Sequence, residues 1–231
     1  DTAALFAIDL SSAKRTLLHQ DPHADVGNVF VDPKTEVVRA VAVDYLRNEW
    51  TVLDPAIGKD FDYLKTLGDG EVNIVSESFD DKFWVVVLTR SDASPKYYLY
   101  DRAAGKAAFW FDVRPALARE KLSVMHPVAI AARDGLNLVS YYSLPAETDP
   151  AGSGKAAHPV PMVLFVHGGP WGRDDYGYNS YHQWLANRGY AVLSVNYRAS
   201  TGFGKAFVNA GDLQWGRKMH DDLIDAVEHV V

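Results

Sequence analysis

The chain has no cysteine. That single absence removes disulfides and thiolate zinc sites, and with them the small disulfide-stapled secreted class. Surplus positive charge is lacking too. Its 23 basic residues stand against 30 acidic ones, a net charge of -7, so counterion release from a phosphate backbone has no basic surface to act through. Nucleic acid is therefore not an expected partner. The uncharged apolar stretches fall well short of the roughly 20 residues that span a bilayer, which leaves out the membrane as well. Asp1 and Thr2 open the chain without a methionine or a signal-like apolar core, so its start reads as cut, and cytosol and bacterial periplasm both remain open. What is present is an ordinary globular composition, 48% hydrophobic over 231 residues, enough for one large domain or two modest ones.

The two halves have different rhythms. From residue 1 to 115, short strand-like runs alternate with turn clusters, with almost no helical period. Leu5 to Asp9, then Lys14, matches Tyr98 to Asp101, then Lys106, with aspartate and lysine superposed at a shift of 92 residues. Between them Trp50 to Asp54 repeats the strand-then-aspartate pattern, at offsets of 45 and 47. Four-stranded propeller blades recur at about that spacing. This half therefore reads as β-propeller blades, fewer than the roughly 4–8 that close a ring; a plain meander of hairpins is the other source of such a pattern.

From residue 116 to 231 the pattern becomes α/β. Val124 to Ala132 and Leu136 to Ser143 flank Arg133-Asp134-Gly135, a hairpin signal, and Pro145 to Pro161 is a polar loop. Met162 to Val166 reads as a strand. Tyr178 to Arg188 reads as a helix with Tyr181, Trp184 and Leu185 at helical spacing and Gly189 at its end. Tyr190 to Val195 reads as a buried strand, and Lys218 to Val231 as an amphipathic helix with Met219, Leu223, Ala226, Val227 and Val230 on one face. An antiparallel hairpin followed by strand-helix-strand-helix is the opening of an α/β sheet.

The segment most charged with chemistry is Val163 to Gly172, a strand that empties into His167-Gly168-Gly169-Pro170. In acyl transfer the charge developing on a carbonyl oxygen needs donors already aimed at it. Gly168 and Gly169 let such a carbonyl approach the backbone, and Pro170 fixes the chain beyond without offering an amide. A tight turn needing glycine for conformation alone is the alternative. His167 belongs to the strand end, where hydrogen bonding that shapes the loop suits it better than the role of general base. Trp171, Arg173, Tyr176 and Tyr178 could line a pocket, with Trp171 and Arg173 as the substrate-binding pair and Arg173 meeting a substrate carboxylate or a neighbouring acid. Packing is their alternative.

Elsewhere the chemical signals are weaker. Tyr197 to Lys205 sets two glycines before a lysine but does not meet G-x-x-x-x-G-K-[ST], and Ser200 within it has no identifiable base. His220, Asp221, Asp222, Asp225, Glu228 and His229 look like metal ligands, yet on a helix only i, i+3 and i, i+4 pairs converge. A solvated polar face is expected there, with no metal. His19, His23, His126, His158 and His182 show no ligand spacing and are expected on the surface or in loops. A G-x-S-x-G nucleophile elbow does not occur in the 231 residues.

Taken together, Val163 to Asp175, Ser194 to Phe207 and Gln214 to Val230 resemble the prolyl oligopeptidase family of serine peptidases, in particular its acylaminoacyl-peptidase and dipeptidyl-peptidase-like branch. The resemblance implies a mixed fold, the C-terminal blades of a β-propeller followed by the N-terminal part of an α/β-hydrolase domain. It implies hydrolysis of short peptides through an acyl-enzyme, without a cofactor. Carried over by position, Gly169 supplies the oxyanion amide, and His167 stands where other branches use a tyrosine side chain. The family's serine, aspartate and histidine lie beyond the long helix, so no triad residue is assigned here. The resemblance thus implies a fragment, inactive alone, whose protein partner is the rest of its polypeptide or a second copy. Ala199 departs from the pattern, where glycine is usual. An esterase of the same fold and a non-catalytic propeller-containing binding protein are the competing readings, and the β repeat argues against the first.

Overall fold

A computed structural model describes residues 2–231. The first half is built of separate antiparallel sheets. β1 (Leu5–Ile8) and β2 (Arg15–His19) form a hairpin, and β3 (Val26–Val31), β4 (Val38–Asp44) and β5 (Asn48–Val52) form a three-stranded sheet. After α1 (Gly58–Leu64), a four-stranded sheet follows from β6 (Glu71–Glu77), β7 (Phe83–Thr89), β8 (Lys96–Asp101) and β9 (Lys106–Asp112).

The repeat seen in the sequence is physically a repeat of turns. Asp9 accepts from the amides of Ser11 and Ser12, Asp54 from that of Ala56 and Asp101 from that of Ala104. Each carboxylate closes the bend that leaves its strand. The Ser11 and Ser12 hydroxyls, with these amides, draw the Asp9 carboxyl down to about 2.

The middle unit departs from the expectation of a half without helices. After Asp54, Pro55 opens a helical turn that runs into α1, where the other two units have a lysine and a further strand, β2 or β9. Seven residues are too few to show a helical period in an 11–18-residue window. Ile57, Phe61 and Leu64 from this segment are buried against Phe30, Trp84 and Tyr100. Phe30 of one sheet meets Trp84 of the next edge-on, ring centroids 5.0 Å apart at 81°. Arg39 on β4 crosses the same gap to Glu77 and Asp81, each at 2.6 Å.

The second half holds one mixed sheet in the order β10 (Met125–Ala131), β11 (Asn137–Ser143), β13 (Ala191–Val195), β12 (Met162–Leu164). β12 and β13 are parallel and the other pairs antiparallel. All five residues of β13 are buried, as expected of a strand covered on both faces. β12 is shorter than the run Met162 to Val166, and beyond Leu164 the Phe165 amide, donating to Leu193 O at 2.8 Å, extends its pairing. α2 (Ser180–Ala186) lies between these strands in sequence, and α3 (Lys205–Asn209) and α4 (Lys218–Val230) follow β13. No helix among the described residues is long and apolar enough to cross a membrane.

α2 turns a different face inward from the one its aromatics suggest. His182, Gln183 and Ala186 are buried, while Tyr181 and Trp184 are exposed. The sheet beneath offers hydroxyls rather than an apolar floor. His182 sits between Ser143 Oγ at 3.1 Å and Ser194 Oγ at 3.0 Å, and burial pushes its pKa down to about 4. It is a core residue, contrary to the surface position expected. Gln183 ties the halves together, accepting from Ser123 N at 2.9 Å and donating to Ser91 O at 2.9 Å and Ser123 O at 2.8 Å.

Candidate active site

Two loops leave the carboxyl ends of the parallel strands: residues 165–175 after β12 and residues 196–204 after β13. In open α/β sheets this is the end at which ligands bind. In the first loop Gly168 and Gly169 are exposed while Pro170 is buried. Gly169 has φ +140°, and a Cβ there would stand 2.6 Å from the Trp171 nitrogen, so only glycine fits. A Cβ on Gly168 would meet nothing within 4 Å. Neither glycine's N–H has an acceptor among the described residues. Two adjacent backbone donors on exposed residues are thus without a protein partner and open to an incoming acceptor.

The second loop is buried continuously from Asn196 to Ser200. Its polar groups turn toward the first loop. Asn196 accepts from Asp174 N at 2.8 Å and donates to Asp174 O at 3.0 Å, and Thr201 N donates to Gly172 O at 2.9 Å. Tyr197 stacks on the His167 ring, 4.7 Å between centroids at 13°, and its hydroxyl donates to His167 O at 3.2 Å. Nδ1 of His167 lies 2.9 Å from Gly168 O, and Nε2 lies 2.9 Å from Ser200 Oγ. The sequence offered Ser200 no base, whereas the structure sets His167 beside it. Even so, Ser200 is wholly buried, and its hydroxyl donates to Tyr197 O at 2.6 Å. This pair supports a loop.

Trp171 projects from the first loop and is largely exposed. Arg173 is not free. Its guanidinium lies over the Phe203 ring at 4.6 Å and donates to Asp44 O at 3.2 Å. It also forms charge contacts with Asp44 at 3.3 Å and Asp175 at 2.5 Å. Those carboxylate contacts lack hydrogen-bond alignment, leaving Arg173 Nε and Nη2 and Asp44 Oδ1 buried without a bonded partner. Burial pushes the Asp44 carboxyl upward and Arg173 opposes it. Of the two arms of the sequence reading, the neighbouring acid is the one on display, and it comes from β4 in the other half of the chain. Burial likewise raises Asp174, with His167 opposing. Tyr176 and Tyr178 each lie under an arginine, Arg47 at 4.4 Å and Arg114 at 4.8 Å.

The acids of α4 are not a uniformly solvated face. Asp222 is wholly buried and grips Arg198 of the second loop, at 2.8 Å to Nε and 2.6 Å to Nη2. Arg198 also reaches Asp134 in the β10–β11 turn, with both contacts at 3.0 Å. Asp225 pairs with Arg133 at 2.6 Å. Local spacing carries no trace of Asp44 as a partner, but Asp222 was visible in principle. It stands three residues after Met219 and four before Ala226, on the face that those two bury.

The prolyl oligopeptidase family profile matches residues 176–231. Dipeptidyl aminopeptidase BIII of Pseudoxanthomonas mexicana is 56% identical over 231 residues, all of this chain and 34% of that protein. Dipeptidyl peptidase family member 6 of Caenorhabditis elegans is 38% identical over 233 residues, 94% of this chain and 32% of the relative. Among solved structures, the Pyrococcus horikoshii acylaminoacyl peptidase superposes with a TM-score of 0.63 at 18% identity, covering 94% of this chain and 32% of that one. The chain thus spans about a third of the length of these relatives. Its separate sheets are blades of a β-propeller, and its mixed sheet is part of an α/β-hydrolase domain. With a match of 56% identity along its whole length and the family profile on its last quarter, the chain belongs to the prolyl oligopeptidase family.

Proposed function

We propose that this chain is part of a serine peptidase that hydrolyses short peptides by acyl transfer, and that the Gly169 amide, with Gly168 beside it, is the oxyanion donor. One observation carries the reading: an amide without a protein partner on an exposed residue that only glycine can occupy, in the loop at the carboxyl end of a parallel strand. As a nucleophile adds to the scissile carbonyl, its oxygen gains charge, and one donor already in place lowers that barrier by about 2.7–4 kcal/mol. Trp171, exposed beside the glycines, is assigned to substrate contact. Arg173, already held between Asp44 and Asp175, is assigned to steadying the loop. The relatives named dipeptidyl aminopeptidase and acylaminoacyl peptidase support peptides as substrates. In this reading residues 1–115 belong to the propeller and residues 116–231 to the hydrolase domain, while nucleophile and base lie elsewhere in a longer polypeptide.

The test is turnover by the longer polypeptide of dipeptidyl and N-acylaminoacyl p-nitroanilides alongside p-nitrophenyl esters. Anilide cleavage is expected, and turnover of esters alone would move the assignment to an esterase. A fluorophosphonate probe is expected to leave the 231-residue chain unlabelled, since Ser200 is buried and committed.

A further inference from the structure

The peptide unit joining Gly168 to Gly169 carries two groups with different fates. Its N–H is the donor offered to substrate. Its C=O lies 2.9 Å from Nδ1 of His167. A trans peptide is planar, with C=O and N–H pointing in opposite directions. Whatever grips the Gly168 carbonyl therefore sets the direction of the Gly169 N–H.

The imidazole that does so is itself held on three sides. Nε2 meets Ser200 Oγ at 2.9 Å, one ring face stacks on Tyr197, and the Tyr197 hydroxyl holds the His167 carbonyl. The space around the contact is reserved as well. A Cβ on Gly172 would come within 2.9 Å of Gly168 O and 3.3 Å of His167 Nδ1, so a side chain there would press on the very bond in question. A carbonyl oxygen only accepts, and the contact therefore requires the proton on Nδ1. Ser200 is suited to either charge state of such a ring. With a neutral ring its hydroxyl turns to donate to Nε2, and Tyr197 O keeps the Ser200 amide at 3.0 Å. With a charged ring the hydroxyl stays on Tyr197 O and accepts from Nε2.

We propose that His167 is a positioning residue for acyl transfer: its Nδ1–H, with the ring fixed by Ser200 and Tyr197, aims the Gly169 amide at the oxyanion. The inference rests on the oxyanion reading of Gly169. It assigns the two ring nitrogens different work, and amide side chains can separate them. Asparagine places a nitrogen at the bond distance of Nδ1 from the backbone, and glutamine at that of Nε2.

The experiment is steady-state kinetics of His167→Ala, His167→Gln and His167→Asn in the longer enzyme, with Gly169→Ala as reference. His167→Ala and His167→Gln are expected to lower kcat on the order of 10–100-fold, the scale of a small misplacement of catalytic groups, with KM moved less than about twofold. His167→Asn is expected to recover most of that loss. Asparagine falling as far as alanine, or glutamine doing as well as asparagine, overturns the assignment. If Gly169→Ala abolishes turnover while the His167 variants keep full kcat, His167 is dismissed and the oxyanion reading stands. If Gly169→Ala keeps full kcat, both fall. Should the variants not fold, 15N spectra of histidine-labelled unmodified enzyme decide: a proton on Nδ1 of His167 supports the proposal, and a neutral ring protonated only on Nε2 overturns it.

Discussion

The loops after β12 and β13 start from neighbouring parallel strands and end up as opposites. The first presents bare glycines to solvent, and the second is buried from Asn196 to Ser200. The exposed loop has one side chain of its own on the glycine backbone, His167 on the Gly168 carbonyl. The buried loop holds that ring and the chain beyond it, through Asn196 on Asp174, Tyr197 on His167 and Ser200 on the far side of the imidazole. A donor made of backbone is only as well aimed as the layer beneath it, so the chemistry and its precision reside in different segments of the chain.

If the second loop is support, removing its deepest anchor should cost stability. Asp222→Ala strips the buried Arg198 of its buried partner and leaves it only Asp134 at the turn, and breaking a buried pair costs about 3–5 kcal/mol. Urea unfolding should show that loss, and a cost under about 1 kcal/mol, the scale of a surface pair, would break the contrast between the loops. If the first loop is the donor, its substitution should strike turnover harder than the strain at that position, about 1–3 kcal/mol, strikes stability. Gly169→Ala is expected to lower kcat by about 10²–10³-fold, the cost of one oxyanion donor, because alanine cannot hold φ +140°.

The layer under the strands has its own signature in pH. His182 has its folded pKa lowered from 6.5 to about 4 by burial, so between those values the unfolded chain binds the extra proton. Its contribution is complete above pH 6.5 and falls away as the pH drops toward 4, by roughly 3 kcal/mol. Melting curves of His182→Asn across that window should be flatter than those of the unaltered protein. The smallest effect separates the two glycines themselves. Gly168→Ala should stay within about 0.5 kcal/mol of the original stability, since its Cβ meets nothing.

How legible each loop was follows from the range of its interactions. Strand-end aspartates such as Asp9 and Asp101 act on amides two or three residues on, so the blade repeat could be read by eye. The Gly-Gly-Pro run after an apolar strand is equally local, and so is the α4 stripe from Met219 to Val230. Legibility failed where the partner was distant. Arg173 finds Asp44 across 129 positions and Arg198 finds Asp222 across 24. α2 showed its failure in another way. Tyr181 and Trp184 look like the inward face until the sheet is known to offer Ser143 and Ser194, which select His182 instead. α1 was hidden by its brevity, seven residues inside an otherwise β-rich half.

The most direct measurement is the crystal structure of the longer enzyme with a peptidyl phosphonate on its nucleophile, so that a phosphoryl oxygen stands in for the oxyanion. That oxygen is expected about 2.7–3.1 Å from the Gly169 nitrogen, with the Gly168 carbonyl still on His167 Nδ1. An oxygen beyond hydrogen-bond distance of Gly169 and held by other donors would contradict the assignment of this loop as the oxyanion site.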